Sequence, residues 1–162
     1  MITDVEDGFE TGTADGRARV PRAVIVAAKG AQVRAAVGGR HLRQSITKSQ
    51  AQDAALRELT EETGLRPGHG LAALWQLETV NTYFLATQDH VMLSPCFAAE
   101  ALHDAELRLD ETHDAHRWVQ RDMVDRLFLW PGQRAAVDHI VRDIVSTDSP
   151  MAQHLRLDIG NA

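Results

Sequence analysis

The sequence contains a single cysteine among its 162 residues, which excludes an internal disulfide bond. Cys96 lies in the apolar run VMLSPCFAAEA. A lone cysteine in such surroundings is typical of a core position rather than of a reactive site. We therefore predict that Cys96 is a small buried hydrophobic residue and not a nucleophile.

Long hydrophobic runs are also missing. The N-terminal region has no apolar segment that resembles a signal peptide, and no later run approaches the length needed to cross a bilayer. These absences favour a cytoplasmic protein with no membrane contact, and this is our expectation.

Basic residues are in the minority, with 17 lysines and arginines against 23 aspartates and glutamates and a formal net charge of -6. A protein that binds a polymeric nucleic acid through its backbone needs a basic face, so we do not expect such a partner. An acidic protein that handles phosphates needs a local basic patch or a bound cation.

The composition is otherwise that of an ordinary globular protein, with 44% hydrophobic and 25% charged residues. This length fits one domain with a sizeable core. Residues 1–20 are polar, acidic and dotted with glycine, which predicts a flexible N-terminal arm. Residues 21–162 are expected to form the domain.

Alternating and β-branched segments predict strands before and after one well-marked helix. Residues 22–28 form a β-branched run, and the segment AQVRAAV that follows Gly30 suggests a hairpin with it. The helix is predicted over residues 48–63 and ends at Gly64. Later strands are predicted in LAALWQLETV, TYFLATQ, HVMLSPCFAAEA and HRWV, and later helices over residues 121–128 and 132–146, with Pro131 near the first turn. This order indicates an α+β fold or an α/β/α sandwich.

The helix over residues 48–63 carries Glu58, Glu61 and Glu62 close to its C-terminal end. Carboxylates are disfavoured there, because that end of a helix carries the negative end of its dipole. We expect the three side chains to project together, away from the side that bears the apolar residues. The predicted apolar side comprises Gln52, Ala55, Leu56 and Leu59, and Ala54 is expected beside the glutamates.

Two interpretations of this charge remain open from spacing alone. A hard divalent cation such as Mg²⁺ takes oxygen ligands of this kind and is often shared with substrate phosphates. The alternative is a solvated glutamate face, since like-charged pairs four residues apart cost only about 0.5 kcal/mol.

The order of residues in RELTEETGL resembles the second half of the Nudix box. Every fixed position of the signature from its R-E pair onward is filled, and the strand order around it suits the family's α/β/α sandwich with a mixed sheet. Looser similarity to Nudix enzymes of the dATP or dihydroneopterin-triphosphate pyrophosphohydrolase type extends over residues 22–157. The matching positions are Arg57, Glu58, Leu59, Glu61, Glu62, Gly64 and Leu65.

The resemblance implies functional roles for four residues. Glu58, Glu61 and Glu62 would be ligands of Mg²⁺ or Mn²⁺, and Arg57 would orient them. The implied reaction is the attack of water on a diphosphate linkage of a nucleotide, with Glu58 or an acid from a loop assisting the water. Catalytic roles are thereby expected for Arg57, Glu58 and Glu61.

The first half of the Nudix box is absent from the sequence. Counted back from Arg57 without gaps, the signature's glutamate falls on Ser49 and its glycine on Arg43. Gly38-Gly39 would correspond to the glycines of the signature if an insertion separates them from the helix. Alternatively, a few residues of the loop before the helix are deleted. A serine offers only a neutral hydroxyl where the family has a charged ligand.

A second departure lies in the segment LDETHDAHRWV. Enzymes of this subgroup have a glutamate directly before the histidine, where this chain has Thr112, and Glu111 is one position earlier. A one-residue bulge would bring Glu111 to the metal as a further ligand. His113 and His116 are alternative substitutes, set against an ordinary role as surface or partly buried histidines.

These departures leave two functional hypotheses. The first is an active pyrophosphohydrolase with altered metal coordination, acting on a small nucleotide. The second is a catalytically impaired Nudix-fold protein that binds a nucleotide or a protein partner. The resemblance also allows a homodimer. Most of the large aromatic side chains are expected in the core, although one of them could stack on the base of a nucleotide. Arg134 is expected to be an ordinary surface arginine near the start of a helix.

Overall fold

The computed structural model of the chain describes residues 3–6, 22–27, 33–36, 48–111, 116–146 and 149–160. Within them, seven strands form one mixed sheet in the order β4-β5-β6-β2-β1-β7, with β3 also paired to β6. The strands are β1 (Thr3–Glu6), β2 (Arg22–Ala27), β3 (Val33–Ala36), β4 (Arg66–Pro67), β5 (Gly70–Leu85), β6 (His90–Ala101) and β7 (Arg117–Gln120). The helices are α1 (Lys48–Thr63), α2 (Val124–Leu127), α3 (Pro131–Ile140) and α4 (Met151–Leu155).

Strands β5 and β6 form a long antiparallel hairpin at the centre of the fold. The sequence predicted two strands, over residues 71–80 and 82–88, where β5 is one. Pairing with β6 runs unbroken through Asn81, and the change of register lies earlier, between Gln76 and Val80. Strand β6 spans HVMLSPCFAAEA as predicted. Its middle, residues 96–99, is buried on both faces of the sheet, which explains why it has no alternation of polar and apolar residues.

The predicted hairpin between β2 and β3 is wrong. Both strands run antiparallel to β6 and lie one after the other along the same edge of it, with Ala27 opposite Cys96 and Val33 opposite Leu93. The β-branched residues therefore did form strands, but β6 offers an edge long enough to pair with both. Composition cannot show this, because pairing partners are chosen by the tertiary fold.

The two faces of the sheet are covered by different helices. Helix α1 packs with Leu74, Phe97 and Ala99 on one face. The segment from β7 to α3 packs with Leu77 and Cys96 on the other. Neighbouring residues of β6 thus enter opposite cores, since successive strand side chains alternate in direction. The predicted α+β fold, an α/β/α sandwich with a mixed sheet, is confirmed.

Cys96 belongs to the core on the α3 face and is 1% exposed, as the sequence predicted. Burial raises the pKa of its thiol, although a backbone contact with Asn81 acts in the opposite direction. A thiol held in its neutral form is a poor nucleophile, so its surroundings agree with a packing role.

The N-terminal arm and the domain boundary at residue 20 stay predictions. Of residues 1–20 the structure describes Thr3–Glu6 alone, which forms β1 between β2 and β7. In the part of the chain that the structure describes, no helix is both long enough and apolar enough to span a membrane.

Candidate active site

Helix α1 begins and ends at the residues that the sequence predicted. Its end is fixed by two devices. Gly64 adopts a positive φ of 75°, a conformation that favours glycine. The buried hydroxyl of Thr63 donates to the carbonyl of Leu59 at 2.6 Å and accepts the backbone N–H of Leu65 at 3.0 Å. The last turn, which bears Glu61 and Glu62, is therefore held to the domain.

The predicted separation of the glutamates from the apolar side of α1 is wrong. Ala51, Ala54 and Ala55 are buried, at 6% exposure or less. Glu58 follows Ala54 by four residues and Glu62 follows Glu58 by four, so these two carboxylates continue the stripe of small buried residues. The side chain of Glu58 is 18% exposed and Glu62 is half-buried.

Glu61 lies on the outer side of the helix, where its side chain is 61% exposed. The three glutamates are thus of two kinds. Glu58 and Glu62 stand one helical turn apart at the margin of the core, whereas Glu61 faces solvent.

Arg57 lies between two of the carboxylates. Its Nη2 is 3.4 Å from Oε1 of Glu58 and its Nε is 3.9 Å from Oε1 of Glu61. The guanidinium is more than half exposed, so each contact is weak as a source of stability. Its geometric effect is to tie the half-buried and the exposed carboxylate to one planar group.

The loop after β6 closes over the end of α1. The backbone N–H of Arg108 donates to the carbonyl of Thr63 at 2.8 Å. The Cβ of Arg108 would be 3.3 Å from a Cβ added at Gly64. The glycine is thus required both for its φ and for this close approach, and a cationic residue lies next to the negative end of the helix dipole.

The donor set on α1 is chemically suited to a hard divalent cation, because carboxylate oxygens are the ligands that Mg²⁺ prefers. The side chains do not form a closed ligand cage. Among the residues that the structure describes, no three His, Cys, Asp or Glu side chains lie close enough together to hold a metal ion. The fit is therefore one of donor type and partial burial, and the remaining ligands would have to be water and substrate phosphate oxygens.

A family model for the NUDIX domain matches residues 47–140, more than half of the chain. The chain belongs to the Nudix family. Comparison with characterised proteins and with solved structures gave no match. Family membership supports a Nudix-type hydrolase in general, for which small nucleotide substrates and divalent cations such as Mg²⁺ are usual.

The positions at which the chain departs from the Nudix signature are mostly outside the described residues. This applies to Arg43, Thr112, His113 and the side chain of Ser49, which itself lies in the first turn of α1. Glu111 is an exposed residue in the loop between β6 and β7. Its role as a replacement ligand stays a prediction.

His116 is also exposed and makes an edge-to-face contact with Trp118, with ring centroids 6.3 Å apart. Arg134 donates from Nη1 to the carbonyls of Phe128 and Leu129, at 2.8 and 3.3 Å. The arginine thereby supplies hydrogen bonds to two backbone carbonyls of the loop that precedes α3. Helix α3 itself begins with Pro131 at its first position. This contact favours a structural role over phosphate binding.

Sequence reasoning missed a buried polar group on the opposite face of the Nudix domain. His139 of α3 is 5% exposed, and its Nδ1 lies 2.7 Å from the hydroxyl of Thr79. Its Nε2 lies 2.8 Å from Oδ2 of Asp143. The spacing of His139 and Asp143, four residues apart on a predicted helix, was the available signal.

Asp143 lies in a single π-helical turn, Val141–Val145, that continues α3. The hydrogen bonds from Arg142, whose Nη2 is 2.6 Å from Oδ2, hold the pKa of Asp143 below its usual value, and the charges of Arg142 and His139 act in the same direction. Thr79 belongs to the irregular part of β5 between Gln76 and Val80. The group therefore joins two irregular segments, and we assign it a structural role.

Proposed function

We propose that this Nudix protein hydrolyses a diphosphate linkage in a nucleoside triphosphate or a related nucleoside diphosphate derivative, using Mg²⁺ or Mn²⁺. The observation that carries the proposal is the pair of half-buried carboxylates, Glu58 and Glu62, one turn apart above small alanines. Arg57 and Glu61 stand on the outer side of the same turns. Carboxylate oxygens grouped in this way are the ligands that a hard divalent cation prefers.

In this proposal Glu58, Glu61 and Glu62 hold the cation, and Glu111 is an additional candidate ligand. When bound, the cation supplies charge neutralisation for the phosphate oxygens and polarises water. Arg57 restrains Glu58 and Glu61 through the contacts described above. Glu58 is the candidate for accepting a proton from the attacking water, because its carboxylate is the less exposed of the two that Arg57 contacts.

The substrate class follows from the resemblance to dATP and dihydroneopterin-triphosphate pyrophosphohydrolases. The products would be pyrophosphate and a nucleoside monophosphate or its analogue. The altered stretch before α1 is compatible with this chemistry if Glu111 or water replaces the missing ligand. The acidic chain as a whole favours a small phosphate compound neutralised by metal over a polymeric nucleic acid.

The test is the release of pyrophosphate or phosphate from nucleoside triphosphates, dihydroneopterin triphosphate and nucleoside diphosphate sugars, with Mg²⁺ or Mn²⁺. The double variant Glu61→Gln, Glu62→Gln keeps the shape of both side chains and removes their charge. Its control is Glu106→Gln, which neutralises an exposed acid in the loop after β6. We expect metal-dependent turnover in the wild type and the control, and its loss in the double variant.

One observation favours a second candidate, a catalytically impaired Nudix-fold binding protein. Nowhere in the described ranges do three acidic, histidine or cysteine side chains converge on a metal position, and Ser49 stands where the signature has glutamate. This candidate predicts no turnover with any substrate of the panel, while Mn²⁺ or a nucleotide still raises the melting temperature. Wild-type turnover would eliminate it.

A further inference from the structure

Within the described residues, the second half of β5 pairs with another strand on one side only. Residues 80–85 pair with β6 on one side. On the other side, the described part of the chain contributes β4 at Gly70 and Leu71 and a single bridge from Arg156 to Trp75. Beyond that point the backbone N–H and C=O groups of the outer side have no strand beside them in the described residues. Such an edge is a template for pairing with another strand.

This edge lacks the features that usually protect a strand from pairing. Residues 79–88, TVNTYFLATQ, contain no charged residue and no proline, whereas natural edges are commonly blocked by lysine, proline or inward-pointing charge. Val80, Tyr83 and Phe84 are 49%, 44% and 56% exposed. Large apolar side chains therefore protrude from the segment whose backbone is open.

The apolar surface continues onto the segment before α3. A Cβ at Gly132 would collide with the side-chain amide of Asn81, so the first turn of α3 packs directly on β5 at this edge. Leu129 and Trp130 immediately precede that turn and are 69% and 63% exposed. Of the six large hydrophobic side chains exposed in the described residues, five thus lie on residues 80–84 or next to the turn that contacts them.

We propose that a second copy of this chain pairs with this edge, antiparallel and with a two-fold axis through Thr82. An edge of free backbone groups selects an extended strand as its occupant. The chain carries a net charge of -6, so two copies repel each other least where their surfaces are uncharged, as over residues 79–88.

The segment is also complementary to itself. Antiparallel pairing about Thr82 places Val80 opposite Phe84 and Asn81 opposite Tyr83, each twice, and Thr82 opposite its own copy. Pairs of an aromatic with a β-branched residue and pairs of threonines are among the favourable cross-strand contacts. The resulting interface is the same patch on both subunits, as a two-fold dimer requires.

The first experiment measures molar mass by sedimentation velocity over a range of protein concentrations. We expect a reversible monomer–dimer equilibrium in the wild type. Phe84→Lys should weaken dimerisation about tenfold or more, because both copies lose a Val–Phe pair and gain a charge at the edge. The control is Ala135→Lys, which adds the same charge at an exposed position of α3 and should leave the equilibrium unchanged.

The second experiment tests the register and does not depend on how Phe84→Lys folds. Thr82→Cys should form a disulfide between copies under mild oxidation, since directly opposed residues of antiparallel strands lie within disulfide range. Wild-type protein, whose single thiol is the buried Cys96, and Ala135→Cys should remain uncrosslinked. A wild type that is monomeric throughout, a dimer that Phe84→Lys leaves intact, or crosslinking at Ala135→Cys but not at Thr82→Cys would overturn the proposal.

Discussion

The two faces of the sheet both carry charged groups at the margin of a core, but the groups differ in composition. On the α3 face, Asp143 is matched by Arg142 and lies against His139. On the α1 face, residues 57–62 contain three glutamates and one arginine, and Arg57 contacts Glu58 and Glu61. Opposite charges in contact suit a structural role, whereas three clustered carboxylates are the donor type that the proposed cation site requires.

The largest effect expected from this difference is on catalysis. Glu58→Gln should lower metal-dependent turnover by about 10²–10⁴-fold, because it removes both a proposed ligand and the candidate proton acceptor. The melting temperature should change little, since the amide keeps the volume of the acid. Turnover and thermal unfolding measured on the same preparations check this, and a fully active Glu58→Gln protein would exclude a catalytic role for Glu58.

The opposite pattern is expected on the α3 face. His139→Ala should lower the free energy of unfolding by about 1–3 kcal/mol, because the hydroxyl of Thr79 loses its hydrogen bond to the buried ring. Turnover per folded molecule should stay at the wild-type value. Urea unfolding and initial rates test both statements, with His154→Ala, at an exposed position of α4, as the control. A large loss of rate with unchanged stability would contradict the structural role assigned to His139.

A smaller effect tests how the end of α1 is held. Gly64→Ala should cost about 1–2 kcal/mol for its left-handed backbone, and an additional penalty arises from the contact with Arg108. Gly68→Ala provides the matched control, because Gly68 has nearly the same φ, 74°, but has no atom near its added Cβ. Equal losses of unfolding free energy in the two variants would show that the Arg108 contact contributes nothing.

The smallest effect is a pH dependence on the α3 face. The hydrogen bonds from Arg142 lower the pKa of Asp143 in the folded protein. In the unfolded chain the pKa of this carboxyl is near its usual value of 3.8, and above that pH its ionised form stabilises the folded state. This stabilisation is lost as the pH falls through the lower folded-state pKa. Asp143→Asn should therefore be less stable than the wild type at neutral pH, and the difference should shrink toward pH 3. Unfolding curves at several pH values measure it; a constant difference would argue against the ion pair.

Local patterns predicted the elements well where the signal is local. The bounds of α1 follow from its composition and from Gly64, and those of β6 from a largely apolar run between polar residues. The burial of Cys96 follows in the same way. The β2–β3 hairpin was wrong because the choice of a pairing partner depends on β6, more than fifty residues away in the sequence. The division of β5 at Asn81 was wrong because an asparagine between two apolar segments is typical of a turn, whereas its pairing with Ser94 of β6 keeps it in the strand.

The sequence by itself determined the family signature, the α1 helix and the presence of three clustered glutamates, since each depends on residues within a few turns of one another. The tertiary structure decided which of those glutamates are sheltered. Glu58 and Glu62 are half-buried because Ala54 and Ala55 lie against the sheet, and the sequence alone did not show that this side of α1 faces the core. The Thr79–His139–Asp143 group, and the one-sided pairing of residues 80–85 of β5 among the described residues, likewise exist only after distant segments pack, because burial and strand pairing are properties of the assembled layers.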